Sequence, residues 1–387
     1  MRLVVDSGLW STGPTIATPP PLVVVLEVSG AVLSWTVDDP PGDAATRITF
    51  TDLSRADWLW RVLGASGHVA LAATLGADPN TDRPDGIELA GVDIVAGSVE
   101  PLRRLAVGHW LRRWWPASRQ DGIAGLDRAL LDVEVALLTV GAQDFFTDDT
   151  LDSDVAELLA PHAASLIMHI RDDDPRIRDL AVAGSGLADD IGVDDTGWPE
   201  LFAALDDSRA VLTMPTGRRD DYALAAGSGV GLGHQGDAAP IARGVASITW
   251  SAVPPRIFDA AENTVDWSVQ VTGAAVVALV RAAVIGPDSP TGIEVRLRSG
   301  PITGTGALDG DGRATLPLVD AGHRPVTESA AWDHDWTNAS VIIGAAVPGV
   351  TETRETRERV RRWVRGRLDR PGGDAFLAEI LAAESDY

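Results

Sequence analysis

The chain has 387 residues, 45% of them apolar, with a mean hydropathy of +0.05 and a formal charge of −24, which marks a globular chain of two or three domains. All 32 cationic side chains are Arg, so mechanisms that need a phosphate-loop Lys, a pyridoxal Schiff-base Lys or the strand Lys of protein kinases are excluded. The acidic surplus speaks against bulk nucleic-acid binding, and the absence of Cys removes disulfides, thiolate catalysis and thiolate metal sites.

The N-terminal run Met1 to Asp6 meets an acid before a signal-peptide core can form, and no run of 18 apolar residues follows. The expectation is a cytoplasmic protein without a membrane span. Arg-only cations beside 42 Asp and 14 Glu match the codon usage of a GC-rich bacterial genome.

Residues 1–96 read as a small α+β unit. Leu22 to Val28 and Ala31 to Val37 flank Ser29-Gly30 and predict a hairpin, because apolar and β-branched runs bracket a two-residue turn signal. Arg47 to Thr51 reads as a further strand, and Ser54 to Leu63 as a short helix with Trp58 and Trp60.

Residues 97–207 carry helical spacing. Leu126, Leu130, Val133, Leu137 and Val140 recur at steps of four and three, as do Val155, Leu159, His162, Leu166 and His169. Asp174-Pro175 predicts an N-cap with Pro at the first helical position. Four or five packed helices are expected.

Residues 208–243 are rich in Gly and Asp and read as a linker. Residues 244–350 then show alternating or β-branched runs at Ser247 to Ala252, Thr264 to Thr272, Ala274 to Ile285, Gly292 to Arg298, Arg313 to Val319 and Ala339 to Ala346, the pattern of an antiparallel β-sandwich. Residues 351–387 return to helix as a tail. The fold class is therefore multidomain α+β: a small α+β unit, a helical middle, a β-sandwich and a helical tail.

Among candidate sites, Gly231, Gly233 and Gly236 match a dinucleotide fingerprint, but a Pro and a strand follow where the fingerprint needs a helix. A loop is the better reading. Asp148, Asp149, Asp152 and Asp154 put four carboxylates ahead of a helix, a pattern that serves either a divalent cation or the positive end of the helix dipole. His162 and His169 are two turns apart, too far to share one metal. Trp332-Asp333-His334-Asp335-Trp336 is a dense polar and aromatic cluster; read as a strand, it sends the two Asp away from His334. No GxSxG elbow occurs, while a Ser-His-Asp triad drawn from distant segments stays open.

Two segments point to protein contacts. Trp110, Arg113, Trp114 and Trp115 gather residue types found at interface hot spots. The tail sets many Arg against few acids in an otherwise acidic chain, with Arg359, Trp363, Phe376 and Ile380 as contact residues. The sequence reading is thus a non-catalytic cytoplasmic adaptor or assembly component that binds a protein partner, needs no cofactor and leaves self-association open. A metal-assisted hydrolase using Asp148 to Asp154, with His162, is the first alternative. A carbohydrate-binding β-sandwich using Trp332 and Trp336 is the second.

Overall fold

The computed structural model describes residues 1–6, 8–14, 16, 20–40, 42–75, 86–146, 151–193, 197–211, 239–273, 275–345 and 352–385. Contacts gather them into two compact units, Met1–Phe202 together with Pro348–Tyr387, and Ala203–Val347.

The first unit starts from a six-stranded antiparallel sheet: β1 Arg2–Asp6, β2 Leu9–Thr12, β3 Val23–Val28, β4 Ala31–Thr36, β5 Arg47–Phe50 and β6 Gly86–Glu88, in the order β3-β4-β5-β2-β1-β6. The hairpin predicted at Ser29-Gly30 joins β3 to β4. Gly30 has φ 74, and a Cβ there would lie 2.1 Å from the Asp52 carbonyl oxygen, so only Gly makes this turn. β4 buries Ala31, Leu33 and Trp35 on one face, and the Trp35 indole N–H donates to the Thr46 hydroxyl at 2.9 Å.

The helix expected at Ser54 to Leu63 is placed differently. A 3-10 turn covers Leu53–Arg55, with Asp52 accepting from the Ser54 N–H, and α1 runs Leu59–Leu75 with a non-helical Gly64 inside it. Helices α2 Glu100–Trp114, α3 Arg128–Gly141, α4 Leu151–Leu159, α5 Ala163–His169, α6 Pro175–Asp190 and α7 Trp198–Val211 follow. Asp174 caps α6 by accepting from the Arg176 N–H at 2.8 Å, with Pro175 opening the helix. The stripe from Val155 to His169 is two helices, not one. Pro161 lies at the break and cannot donate the hydrogen bond that would carry α4 forward.

The tail folds back onto this unit. α9 Arg354–Asp369 and α10 Leu377–Glu384 pack against each other, and α10 packs on α3. Phe376 is fully buried, and it reaches α2 where Gly108 leaves room for its ring.

In the second unit, β7 Ala242–Ala246, β8 Val265–Thr272, β9 Ala275–Ala282, β10 Glu294–Ser299, β11 Ile302–Ala307, β12 Arg313–Val319 and β13 Ser340–Ile343 form one antiparallel sheet in the order β13-β10-β11-β12-β9-β8-β7. Two stacked sheets were expected, but the strands are continuous. β12 pairs with β9 through Arg313 to Pro317 and with β11 through Leu318 and Val319, so it carries the sheet around a corner. Gly304 and Gly306 of β11 make the corner possible, because a Cβ at either would lie 2.7 Å from the Leu318 or Leu316 side chain. The Ala345 N–H after β13 donates to the Ala252 carbonyl after β7, which brings the two ends of the sheet together in a nearly barrel-like form.

The expected strand at Ser247 to Ala252 is a loop ending in a 3-10 turn, Trp250–Ala252, and the strand lies just before it as β7. Trp332 closes a short helix, α8 Glu328–Trp332, so the segment Trp332 to Trp336 is not a strand. Among the described residues, no helix is long and apolar enough to cross a membrane.

Candidate functional site

Strand alternation and register create the site in the second unit. Along β8, Val265, Trp267 and Val269 are buried while Asp266 is exposed, and along β12 Ala314, Leu316 and Leu318 are buried while Arg313, Thr315 and Pro317 are exposed. The opposite face is thereby loaded with the residues in between. Two rows cross four adjacent strands. One is Val245, Asp266, Arg281 and Arg313; the other is Arg243, Ser268, Leu279 and Thr315.

A groove of about 800 Å³ lies along these rows, with Trp267 and Val280 also bordering it. Gly244 shapes it: a Cβ there would lie 2.5 Å from Trp267 Cζ2, so the indole can reach under β7 only because β7 has no side chain at that position. At one end Asp309 is already committed to the turn, accepting from the N–H groups of Asp311 and Arg313.

The charge arrangement sets this groove apart. Arg281 and Arg313 stand directly opposite each other on neighbouring strands. Like charges so placed repel, since Cβ atoms of such a pair are only about 5 Å apart. Neither guanidinium has an ion-pair partner among the described residues, and Arg243 in the next row has none either. The chain carries 56 acidic residues, so carboxylates are not scarce. The groove therefore holds three guanidinium groups without an ion-pair partner among the described residues, with the Asp266 carboxylate directly opposite Arg281 and Asp309 at one end, and such groups suit planar, bidentate recognition of carboxylates.

The contact residues expected from the sequence lie elsewhere, in the first unit, and most are spent there. Trp110 is buried, donates to the Pro21 carbonyl at 2.6 Å and meets Trp363 edge-on at 5.2 Å. Trp115 is buried and donates to the Ala124 carbonyl. Arg113 stacks over the half-buried Trp114. Arg359 is paired with Asp38 at 2.9 Å, Phe376 is fully buried, and Ile380 is half-buried in α10. Part of the basic tail is paired internally: Arg361, 2% exposed, meets Asp121 at 3.2 Å, and Arg367 meets the fully buried Glu379 at 2.5 Å. These contacts occupy most of the tryptophan and tail residues named from the sequence within the first unit itself.

The remaining candidates do not gather into a second site. Asp148 and Asp149 lie outside the described residues, as does the glycine stretch at 227–236. Asp152 and Asp154 are exposed on the first turn of α4. His162 is turned to Asp132 at 2.8 Å, both buried, with Arg112 at 2.6 Å and Arg128 at 3.2 Å on the same carboxylate. Burial works to raise Asp132, but the His162 hydrogen bond and the Arg112 charge outweigh it and leave the carboxyl below its ordinary range. The group is a buried ionic staple between α2, α3 and the α4–α5 turn. Among the described residues, no three His, Asp or Glu side chains are grouped to hold a metal ion. In the second unit, Ser299 Oγ lies 2.9 Å from His334 Nε2, a serine–histidine pair that the sequence left open, but Ser299 is 1% exposed and closed to a substrate. Trp336 is buried and bonded to the Ala331 carbonyl, while Trp332 is exposed, so the two rings do not form one aromatic platform.

Comparison with protein families, curated proteins and solved structures finds no match for the chain.

Proposed function

We propose that the chain is an adaptor that holds an acidic segment of a partner protein in the arginine-lined groove of its second unit. The observation that carries this reading is the unpaired Arg281 and Arg313 facing each other across β9 and β12, with Arg243 two strands from Arg281 in the next row. Two fixed positive charges at such spacing are tolerated most readily when a shared anion lies between them. An extended peptide fits the size of the groove, and its Asp or Glu carboxylates supply the missing charge. The first unit, with its tail docked on it, serves as the frame.

The test is fluorescence anisotropy with a labelled ten-residue peptide alternating Glu and Ala, added to the full chain at low salt. Binding that weakens with added salt and falls by about tenfold or more for the Arg281→Ala, Arg313→Ala double variant is expected. Binding that ignores both changes, or equal binding of a Lys-containing counterpart, would overturn the reading.

A further inference from the structure

The first unit holds a separate cavity of about 500 Å³ at the turn end of the β3–β4 hairpin, walled by α2, α3 and α4. It shares no residue with the groove of the second unit, so an inference drawn from it stands apart from the adaptor reading. Its polar lining comes from Glu27 on β3, Ser29 in the hairpin turn, Thr51 after β5, Arg55 on the 3-10 turn, His109 on α2, Thr139 on α3 and Asp154 on α4.

His109 is the informative group. Its ring is half-buried, yet neither nitrogen has a hydrogen-bond partner among the described residues. Burial, seconded by the Arg112 guanidinium, pulls its pKa down to about 4, while Asp132 and Asp154 oppose the shift. At neutral pH the ring is uncharged and offers one N–H and one bare nitrogen to whatever enters. Neither ring nitrogen is among the fully buried atoms that lack a partner, so the ring is open on the side of the cavity it lines.

The remaining groups define the occupant. Among the described residues, Glu27 and Asp154 bring two carboxylates without ion-pair partners, and Arg55, whose charge also acts on Asp52, brings one guanidinium without an ion pair. Thr139 already donates its hydroxyl to the Val135 carbonyl at 2.8 Å, so toward the cavity it can only accept. The Ser29 hydroxyl and N–H are likewise committed, to Arg55 O at 2.8 Å and Phe145 O at 2.8 Å, which fixes the hairpin wall. A phosphate or other dianion would meet two carboxylates. An apolar molecule would leave His109 unmatched, and a simple diamine would leave Arg55 unmatched. A molecule with one ammonium, one carboxylate and a polar body satisfies all of them.

We propose that this cavity binds a small zwitterion of the amino-acid type, its ammonium received by Glu27 and Asp154, its carboxylate by Arg55, and its polar atoms by His109. Arg55 and Asp154 are exposed, so replacing either leaves the core intact.

The test is calorimetric titration of the full chain at pH 7.5 with each of the twenty amino acids. At least one is expected to bind, with a loss of about tenfold or more on N-acetylation and again on amidation of the carboxyl group. Asp154→Asn should reproduce the first loss and Arg55→Gln the second, with the acidic-peptide affinity of the other unit unchanged. No heat from any amino acid at about 10 mM, where even a millimolar site would be mostly filled, overturns the proposal. So does an amino acid whose affinity is indifferent to acetylation and to both substitutions.

Discussion

Gly108 and Gly366 both lie inside helices, and the same substitution at each is expected to act in opposite directions. A Cβ at position 366 of α9 meets nothing within 4 Å, so Gly366→Ala gains the helix preference of Ala, about 1 kcal/mol. A Cβ at position 108 of α2 would lie 2.6 Å from Val135 Cγ2 and 2.8 Å from Phe376 Cζ. Val135 is a stiff β-branched residue on α3, and Phe376 is a fully buried ring, so neither can step aside without moving its element. Overpacking of this kind costs about 1–3 kcal/mol, and with two rigid neighbours the upper part of that range applies. After the helix gain is subtracted, Gly108→Ala should destabilise the first unit by about 2 kcal/mol. Differential scanning calorimetry of the full chain would then show Tm rising by about 2–4 °C for Gly366→Ala and falling by about 4–8 °C for Gly108→Ala. Phe376→Leu in the Gly108→Ala background should return part of the loss, as expected for residues in contact. If both alanine variants raise Tm alike, the α2–α3–tail junction is not packed as described.

Acid should remove the part of the first unit's stability that rests on a neutral His109. The His109 pKa is lowered from 6.5 to about 4, so between these values the unfolded chain binds a proton that the folded chain does not, and stability falls as pH drops through this window. The His109 contribution from pH 7 to pH 5 amounts to a loss of about 2 kcal/mol, opposed by His169, whose pKa is raised by its hydrogen bond to Asp127, so urea unfolding should show the wild type losing about 2 kcal/mol more than His109→Gln over this range; equal slopes would refute the assignment. Asp127 and Asp132, both held below the ordinary carboxylate range, add their losses further down the scale. Glu379→Ala strips the buried Arg367 guanidinium of its closest partner and should cost about 3–5 kcal/mol, visible as a collapsed Tm and early proteolysis near Thr353. Gly244→Ala forces Trp267 from its place and should lower stability of the second unit by about 1–3 kcal/mol while shifting tryptophan emission, whereas an unchanged spectrum would mean the indole has room.

The hairpin at Ser29-Gly30 was legible because β-branched runs and a glycine turn are local signals, and the Asp174-Pro175 cap was legible for the same reason. β11 was not. Its sequence, Ile-Thr-Gly-Thr-Gly-Ala, reads as a loop until Leu316 and Leu318 of β12 are seen to occupy the space that Gly304 and Gly306 leave. The partners of the tail were hidden for a related reason. Arg361 and Arg367 look like a solvated basic face in a helical projection, but their partners Asp121 and Glu379 belong to other segments. Periodicity reports which side of a helix differs from the other, not what charge awaits it across the fold. Nor could composition reveal the groove: Arg281 and Arg313 become neighbours only through the β9–β12 register.

The discontinuous first unit has a consequence for synthesis. Its early strands and helices are made first, then the whole of Ala203–Val347, and only afterwards the tail that supplies Phe376 and Glu379. At about 5–20 residues per second, roughly 10–30 seconds separate the two halves of one core. During that interval the surface of α2 and α3 around Gly108 and Val135 stands uncovered, while the second unit can fold on its own contiguous stretch. A product that stops short of Phe376 lacks the ring that packs against Gly108 of α2.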